Sequence, residues 1–415
     1  PLTEQINDAW FRHMIERMGQ PIGTHQEAFV VGYLAARTAF STRSRAPLDA
    51  AQMLGCGPAT AFFRVSLPLA RPAIVGGTLL VAMEVMNDYG TVVYFGIPTL
   101  TVGIFRFWFS FGDPDSALRI AACALLVIFA LMGLERWWRG SQRFTDPGGR
   151  NSMPVRYRLT GWSRYFVIAG CAVPVLLGFF IPAGRLLYWT WLLGLDAWER
   201  EFLLQIGSSL SLAAGSTFLI VSIAVLVAYA ERLHPQRSVR WVARFAVLGY
   251  AIPAAVLALG ILRGLGVVDA GASLLSSGRG GGVISLLLSG TVTALIFAYA
   301  VRFLAVATVP VQAGFKQVCD DLDASARCLG APPGRTLLRV DLPLLRPVLW
   351  SAAILVFVDV LKELPLTLLL RPFNLETLGT RAYNLVDQGR LHEAAPACLL
   401  IITAGLACVV VLNRF

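Results

Sequence analysis

Residues 210–230 read LSLAAGSTFLIVSIAVLVAYA, without a single charge. About 20 such residues rise about 30 Å as a helix, the depth of a bilayer's hydrocarbon core. No water reaches a free N–H or C=O there, so a spanning segment closes its hydrogen bonds within itself. Comparable runs occupy 69–95, 117–134, 165–184, 203–230, 244–262, 284–308, 345–370 and 395–412. They predict an all-α polytopic membrane protein. The chain is 56% hydrophobic and 14% charged, whereas soluble domains hold roughly 45–50% apolar and about 25% charged residues. FVVGYLAARTAF at 29–40 is apolar but short, rising only about 18 Å.

The net charge is +10, and its placement decides what it means. Loops 41–68, 135–164, 231–244 and 314–343 hold eighteen Arg and Lys residues; loops 96–116, 185–201, 263–283 and 371–394 hold eight. That bias puts the first set in the cytoplasm. The basic balance therefore reads as membrane topology, and no nucleic-acid partner is expected. Trp162, Trp189, Trp191 and Trp241 fall where aromatic belts lie. Residues 1–28 form a polar N-terminal piece without the pattern of a signal peptide.

Other chemistry is excluded by spacing. The seven Cys include no CxxC, and the four His are scattered, so neither a disulfide framework nor a metal site is expected. No stretch matches G-x-x-x-x-G-K-[ST], so any ATP is hydrolysed by another subunit. The chain is not expected to be an enzyme and calls for no cofactor.

A repeat organises the rest. Residues 54–72, LGCGPATAFFRVSLPLARP, return at 329–347 as LGAPPGRTLLRVDLPLLRP, and a shift of 275 positions gives eleven identities over the 27 residues 48–74. Both copies fall on the cytoplasmic side, which predicts two related, parallel helical bundles. In each copy a helix former, DAAQML or ASARCL, ends at Gly55 or Gly330, a residue suited to a left-handed cap. A short amphipathic element follows, then Pro68 or Pro343 at the start of the next helix. The product is a two-helix elbow. Its apolar pairs, Phe62 with Phe63 and Leu337 with Leu338, suit a partner's groove.

These elbows resemble the EAA loops of binding-protein-dependent ABC importer permeases. EVMNDYGTVVYFG (84–96) and VDVLKELPLTLLLRPFNLETLGTRAY (358–383) look like the fused, two-domain iron(III) permeases. The resemblance implies ABC ATPase subunits, a periplasmic substrate-binding protein and an inner-membrane location in contact with lipid. It assigns ATPase coupling to Asp49, Ala50, Ala51, Gly55, Phe62 and Phe63, and to Ser325, Ala326, Gly330, Leu337 and Leu338. The motif's acid is Asp49 in the first loop; the second has Ala324, with Asp323 one place earlier and Arg327 nearby. The expected organisation is an incomplete, apparently truncated first half at 29–134, a basic linker at 135–164 and a second half at 165–415.

The same shift places Glu84 on Asp359 and Asp88 on Glu363, with helix breakers Gly90 and Pro365 two residues later. Acids at i and i+4 share a helix face. Glu84 lies about 22 Å and Asp88 about 28 Å along the helix from Leu69, near the outer mouth. These four acids and Lys362 have three readings: a structural salt bridge with capping, a lining for a hard cation such as iron(III), or a docking surface for the binding protein. Negative charge at a helix's C-terminal end opposes its dipole, so compensation by Lys362, a passing cation or water is expected. Polyamine, thiamine, phosphonate and oxyanion substrates remain alternatives, as does a secondary transporter driven by an ion gradient.

Overall fold

The computed structural model describes residues 46–139, 161–194, 198–234, 236–276 and 290–412. The short apolar run at 29–40, the polar piece at 1–28 and most of the basic linker lie outside them. The described residues are helical throughout, and six helices are long and apolar enough to cross a membrane. The chain divides into two compact units, Pro1–Pro182 and Ala183–Phe415.

In the first unit, α1 (Ala46–Met53) leads through Pro58–Ala61 and a wide turn at Phe62–Ser66 into α2 (Leu67–Asn87). Then come α3 (Gly90–Tyr94), α4 (Leu100–Phe105) and α5 (Pro114–Arg139). The single span expected at 69–95 is thus broken at Asp88, whose backbone is extended. The expected outer loop 96–116 contains α4, which Thr99 caps by accepting from the Val102 N–H at 3.3 Å. Tyr89 stacks on Phe105 at 3.8 Å between ring centres, tying the break to α4. Thr101 donates to the Met86 carbonyl at 2.7 Å, taking up an acceptor near the end of α2. Asp113 receives the Ser116 N–H at 3.1 Å ahead of α5; its hydrogen bonds to Ser116 hold its carboxyl below the ordinary range.

The helices α6 (Trp162–Val175) and α7 (Ile181–Leu193) form one apolar path. The second unit continues through α8 (Arg200–Leu233), α9 (Arg237–Leu248), α10 (Ala254–Ser276), α11 (Val292–Phe315) and α12 (Asp320–Cys328). It ends with α13 (Arg346–Leu361), α14 (Pro365–Leu370), α15 (Leu378–Asp387) and α16 (Leu391–Leu412). The span expected at 345–370 is interrupted between Leu361 and Pro365. The span expected at 244–262 is shifted: α9 is a separate amphipathic helix with Trp241 and Phe245 exposed, and α10 follows a turn ending at Pro253. The span expected at 284–308 is α11, which begins at Val292.

Helices α8, α11 and α13 form the centre of this unit. Their buried faces interleave small residues, Ala213, Ser216, Ala224 and Ala228 on α8, Ala298, Ala305 and Ala307 on α11 and Ala352 on α13, with large ones such as Phe202, Ile220, Leu295 and Tyr299. Small residues let helix backbones approach in a medium that gives little hydrophobic drive between helices. Other large apolar residues point outward, among them Phe218, Leu226, Phe297 and Val309. Gly249 shows how close the approach is, because a Cβ there would stand 1.9 Å from the Val301 carbonyl oxygen. Gly249→Ala is therefore expected to cost about 1–3 kcal/mol by overpacking. At Gly260, on α10, a Cβ would meet nothing within 4 Å, and Gly260→Ala is expected to cost nothing. Thermal unfolding of the two variants in detergent checks the contrast.

Candidate functional site

The two elbows share one backbone design. Gly55 and Gly330 have φ of +83° and +79°. The Gly55 N–H bonds Gln52 O at 2.9 Å and the Cys56 N–H bonds Ala51 O at 3.0 Å; Gly330 to Arg327 and Ala331 to Ala326 repeat these distances. This is the left-handed cap expected of both glycines. A wide turn then occupies Phe62–Ser66 and Leu337–Asp341, again 275 residues apart. In the second elbow the helical stretch Pro333–Leu344 bends by 80° into α13.

The coupling candidates divide by exposure. Phe62 and Phe63 are both exposed and meet edge to face at 5.2 Å. Leu338 is exposed, but Leu337 is buried, which corrects the expectation of an outward-facing Leu337–Leu338 pair. Leu337 joins Val225, Ala228, Tyr229, Val311, Phe315 and Leu345 in a core beneath the elbow. The wide turn rotates successive side chains, so one of two adjacent leucines faces the spanning helices. Ala50, Ser325 and Gly330 are exposed, Ala51 is buried and Ala326 is half-buried. Asp49 lies on α1 and Glu84 on α2, with their side chains outside the described set.

Arg232, at the inner end of α8, seats the second elbow. Its Nε bonds Asp323 of α12 at 2.7 Å, and its NH groups bond the carbonyls of Phe315, Val318 and Cys319. It thus satisfies acceptors left open where α11 ends while neutralising an acid on the elbow. Tyr229 donates to the Pro333 carbonyl at 2.7 Å. A Cβ on Gly314 would sit 2.9 Å from Leu345 Cδ2, so α11 packs directly on the bend.

The acids after the elbows also form matching structures. Asp88 accepts the Thr91 N–H at 3.2 Å, and Glu363 accepts the Leu366 N–H at 3.2 Å. Each carboxylate therefore stands over the first turn of the short helix beyond the break. The compensation expected for a C-terminal charge comes from the next helix, whose free N–H groups and dipole favour an anion. Glu363 is buried and pairs with Arg302 of α11 at 3.5 Å. Thr367 donates to the Glu363 carbonyl at 2.9 Å, and its hydroxyl meets Tyr299 at 2.6 Å. Asp359 pairs with Lys362 at 3.4 Å, the lysine being exposed.

Sequence reasoning passed over Arg302. Its signal is that it is the one charge in α11, and a lone intramembrane charge implies a partner. It also passed over the outer end of the unit. There Glu376 receives Gln205 at 2.9 Å and Asn384 at 3.0 Å, while Arg381 donates to Gln205 at 2.7 Å. Glu376, Arg381 and Asn384 border a pocket of about 340 Å³ that Glu199, Glu201, Arg390 and Glu393 also line. Among the described residues, no three His, Cys, Asp or Glu side chains gather as a metal site would require.

Residues 27–137 and 220–415 match the family described as the binding-protein-dependent transport system inner membrane component. The chain belongs to this family. It is a multi-pass ABC importer permease of the inner membrane. The Fe(3+)-transport system permease protein FbpB 2 of Haemophilus influenzae is 24% identical over 386 residues, covering 91% of this chain and 73% of that one. The putative 2-aminoethylphosphonate transport system permease protein PhnV of Salmonella typhimurium is 26% identical over 207 residues, covering 50% and 72%. The probable ABC transporter permease protein y4fN of Sinorhizobium fredii is 23% identical over 413 residues. Among solved structures, a chain of a bacterial alginate ABC transporter, in complex with an alginate-bound periplasmic protein, shares the fold. Its TM-score is 0.50, with 17% identity, and the likeness covers 61% of this permease and 93% of that chain.

The break in this permease predicts a sharp coupling energy. Arg302→Met leaves Glu363 buried without its counter-charge and is expected to cost about 3–5 kcal/mol. Adding Glu363→Gln removes the stranded charge and keeps an oxygen to cap Leu366, so the double variant is expected to recover most of that loss. A double-mutant cycle read by thermal unfolding measures it.

Proposed function

We propose that this permease imports iron(III) delivered by a periplasmic binding protein, and that ATPase subunits drive it by seating on both elbows. The match to an Fe(3+) permease across 91% of the chain carries the substrate reading, because it spans both elbow-bearing halves. A phosphonate is the second reading, supported by the PhnV match over half the chain.

The elbows supply the coupling. Each presents exposed apolar side chains, Phe63 on one and Leu329 and Leu338 on the other. Such side chains suit a groove in a soluble subunit. The second elbow is fixed to α8 and α11 through Arg232 and Tyr229. A push on it therefore reaches two spanning helices at once, as rocking of one half against the other requires. Asp49, Ala50, Ala51, Gly55, Ser325, Ala326 and Gly330 shape or flank the contact. Leu337 acts from beneath it.

For the route we assign Glu84, Asp359 and Lys362 to passing contacts with substrate, and Asp88 and Glu363 to holding the helix breaks open beside it. Carboxylates suit a hard cation, and pairing Asp359 with Lys362 weakens its grip, as release requires.

Reconstitution into vesicles with the ATPase and binding protein tests the reading. ATP-dependent accumulation of iron(III), with no accumulation of 2-aminoethylphosphonate, is expected; the reverse overturns the iron assignment. Uptake driven by an ion gradient without ATP overturns the coupling scheme. Gly330→Val places a β-branched residue at φ +79°. It is expected to cut uptake by about tenfold or more while ATP hydrolysis by the assembled complex persists.

A further inference from the structure

Of two acids under the second elbow, Asp323 enters that scheme only as the partner of Arg232, and Asp341 does not enter it. Asp341 closes the wide turn and is fully buried; Asp323, on α12, is 3% exposed. Arg232 bonds one oxygen of Asp323. Among the described residues, the other Asp323 oxygen and both Asp341 oxygens have no hydrogen-bond donor. A buried acceptor left unpaired costs as much as a lost hydrogen bond or more, and a buried charge costs further. The two carboxyls lie within hydrogen-bonding reach of each other. Two carboxylates offer only acceptors, so that contact forms only when one oxygen carries a proton.

We propose that Asp341 and Asp323 are a proton-binding site in which one shared proton latches the elbow's wide turn to α12. The charged and titratable groups around it are Asp323 and Arg327 on α12 and Arg232 and Tyr229 on α8. With both acids ionised, two buried negative charges share the Arg232 guanidinium, because Arg327 is exposed to solvent, and the site is left short of a buried counter-charge. A proton neutralises it and supplies the missing donor. Burial, then the Asp323 charge, pushes the Asp341 carboxyl up to about 6.

The sign follows. The seated elbow holds its proton more tightly than a solvated carboxyl does. The latch is therefore fully made at acid pH, weakens as pH rises from the ordinary carboxylate range to about 6, and stays at its weakest above that. The first elbow has Leu48 and Ser66 at the equivalent positions, so proton sensitivity belongs to the second elbow alone. The effect on transport rests on the coupling role proposed above; the proton site does not.

Infrared difference spectra of the purified full chain test the site. One protonated-carboxyl band is expected to titrate near pH 6, to vanish in Asp341→Asn, and to titrate at lower pH in Asp323→Asn. No such band, or one unchanged in both variants, overturns the proposal. Suppression of the band at fixed pH by added Na⁺, K⁺ or Mg²⁺ also overturns it, since the site then takes a metal cation. Thermal unfolding gives a second measure, with stability falling between about pH 4 and pH 6 in the parent and flat in Asp341→Asn, whose amide supplies the donor. In the vesicle system, uptake by the parent is expected to vary with internal pH over about 5.5–7 more steeply than uptake by Asp341→Asn. A band that behaves as expected beside identical uptake profiles overturns the coupling consequence and leaves the proton site standing.

Discussion

A backbone group freed inside a bilayer must find its partner within the protein, and this constraint shapes the chain wherever a helix stops short. α2 and α13 each stop before their apolar runs end. At both stops the chain places a carboxylate three residues ahead of an amide it can receive, Asp88 for Thr91 and Glu363 for Leu366. The carboxylate is costly in itself. It becomes tolerable because the new helix offers free N–H groups and the positive end of its dipole. In the second unit Arg302 adds a full counter-charge. The break is then an ordered feature with a small set of bonded partners, and the chain beyond it turns back through α14 toward α15.

The inner ends obey the same constraint by other means. α11 finishes at Phe315, whose carbonyl faces Arg232 together with those of Val318 and Cys319 just beyond the helix. The guanidinium offers several donors in a planar fork, so one side chain serves those carbonyls and the Asp323 carboxylate together. The position of the elbow is therefore not independent of α8. A displacement of α12 either carries Arg232 with it or strips several donors at once. Such an arrangement has few intermediate states, and that is what a coupling element needs if a distant engine is to move the membrane helices and not merely bend a loop.

How much of this the sequence disclosed depends on the kind of residue involved. Gly55, Gly330, Pro68 and Pro343 were legible because backbone geometry admits few substitutes, and the 275-residue shift found them twice. The alignment of Asp88 with Glu363 came from the same shift. Their capping role did not, because TVVYFG and PLTLLL continue the apolar run and hydropathy does not register a change of direction. For the same reason 69–95 and 345–370 read as uninterrupted. Residues 237–248 were divided between a loop and a span because arginines and aromatics alternate there at helical spacing, which suits an interface and neither neighbour. Leu337 faces inward where its counterpart Phe62 faces outward, and the aligned sequences carry no sign of that difference. Contacts such as Gln205 with Glu376 or Tyr299 with Thr367 join distant elements, and no local pattern foretells them.

The two elbows share a backbone and differ in the residues at two matching positions. At the position of Asp341 the first elbow carries Ser66, and at that of Asp323 it carries Leu48. A serine can donate its own proton, and a leucine asks for none. The first elbow therefore has nothing at these positions that a change of pH can charge. The second depends on Arg232 and on a proton for the same two acids, and replacing them with an apolar pair would hold the turn with less internal conflict. Pseudo-symmetry in the backbone thus coexists with asymmetry in chemistry, because only the second elbow carries ionisable groups at these two positions.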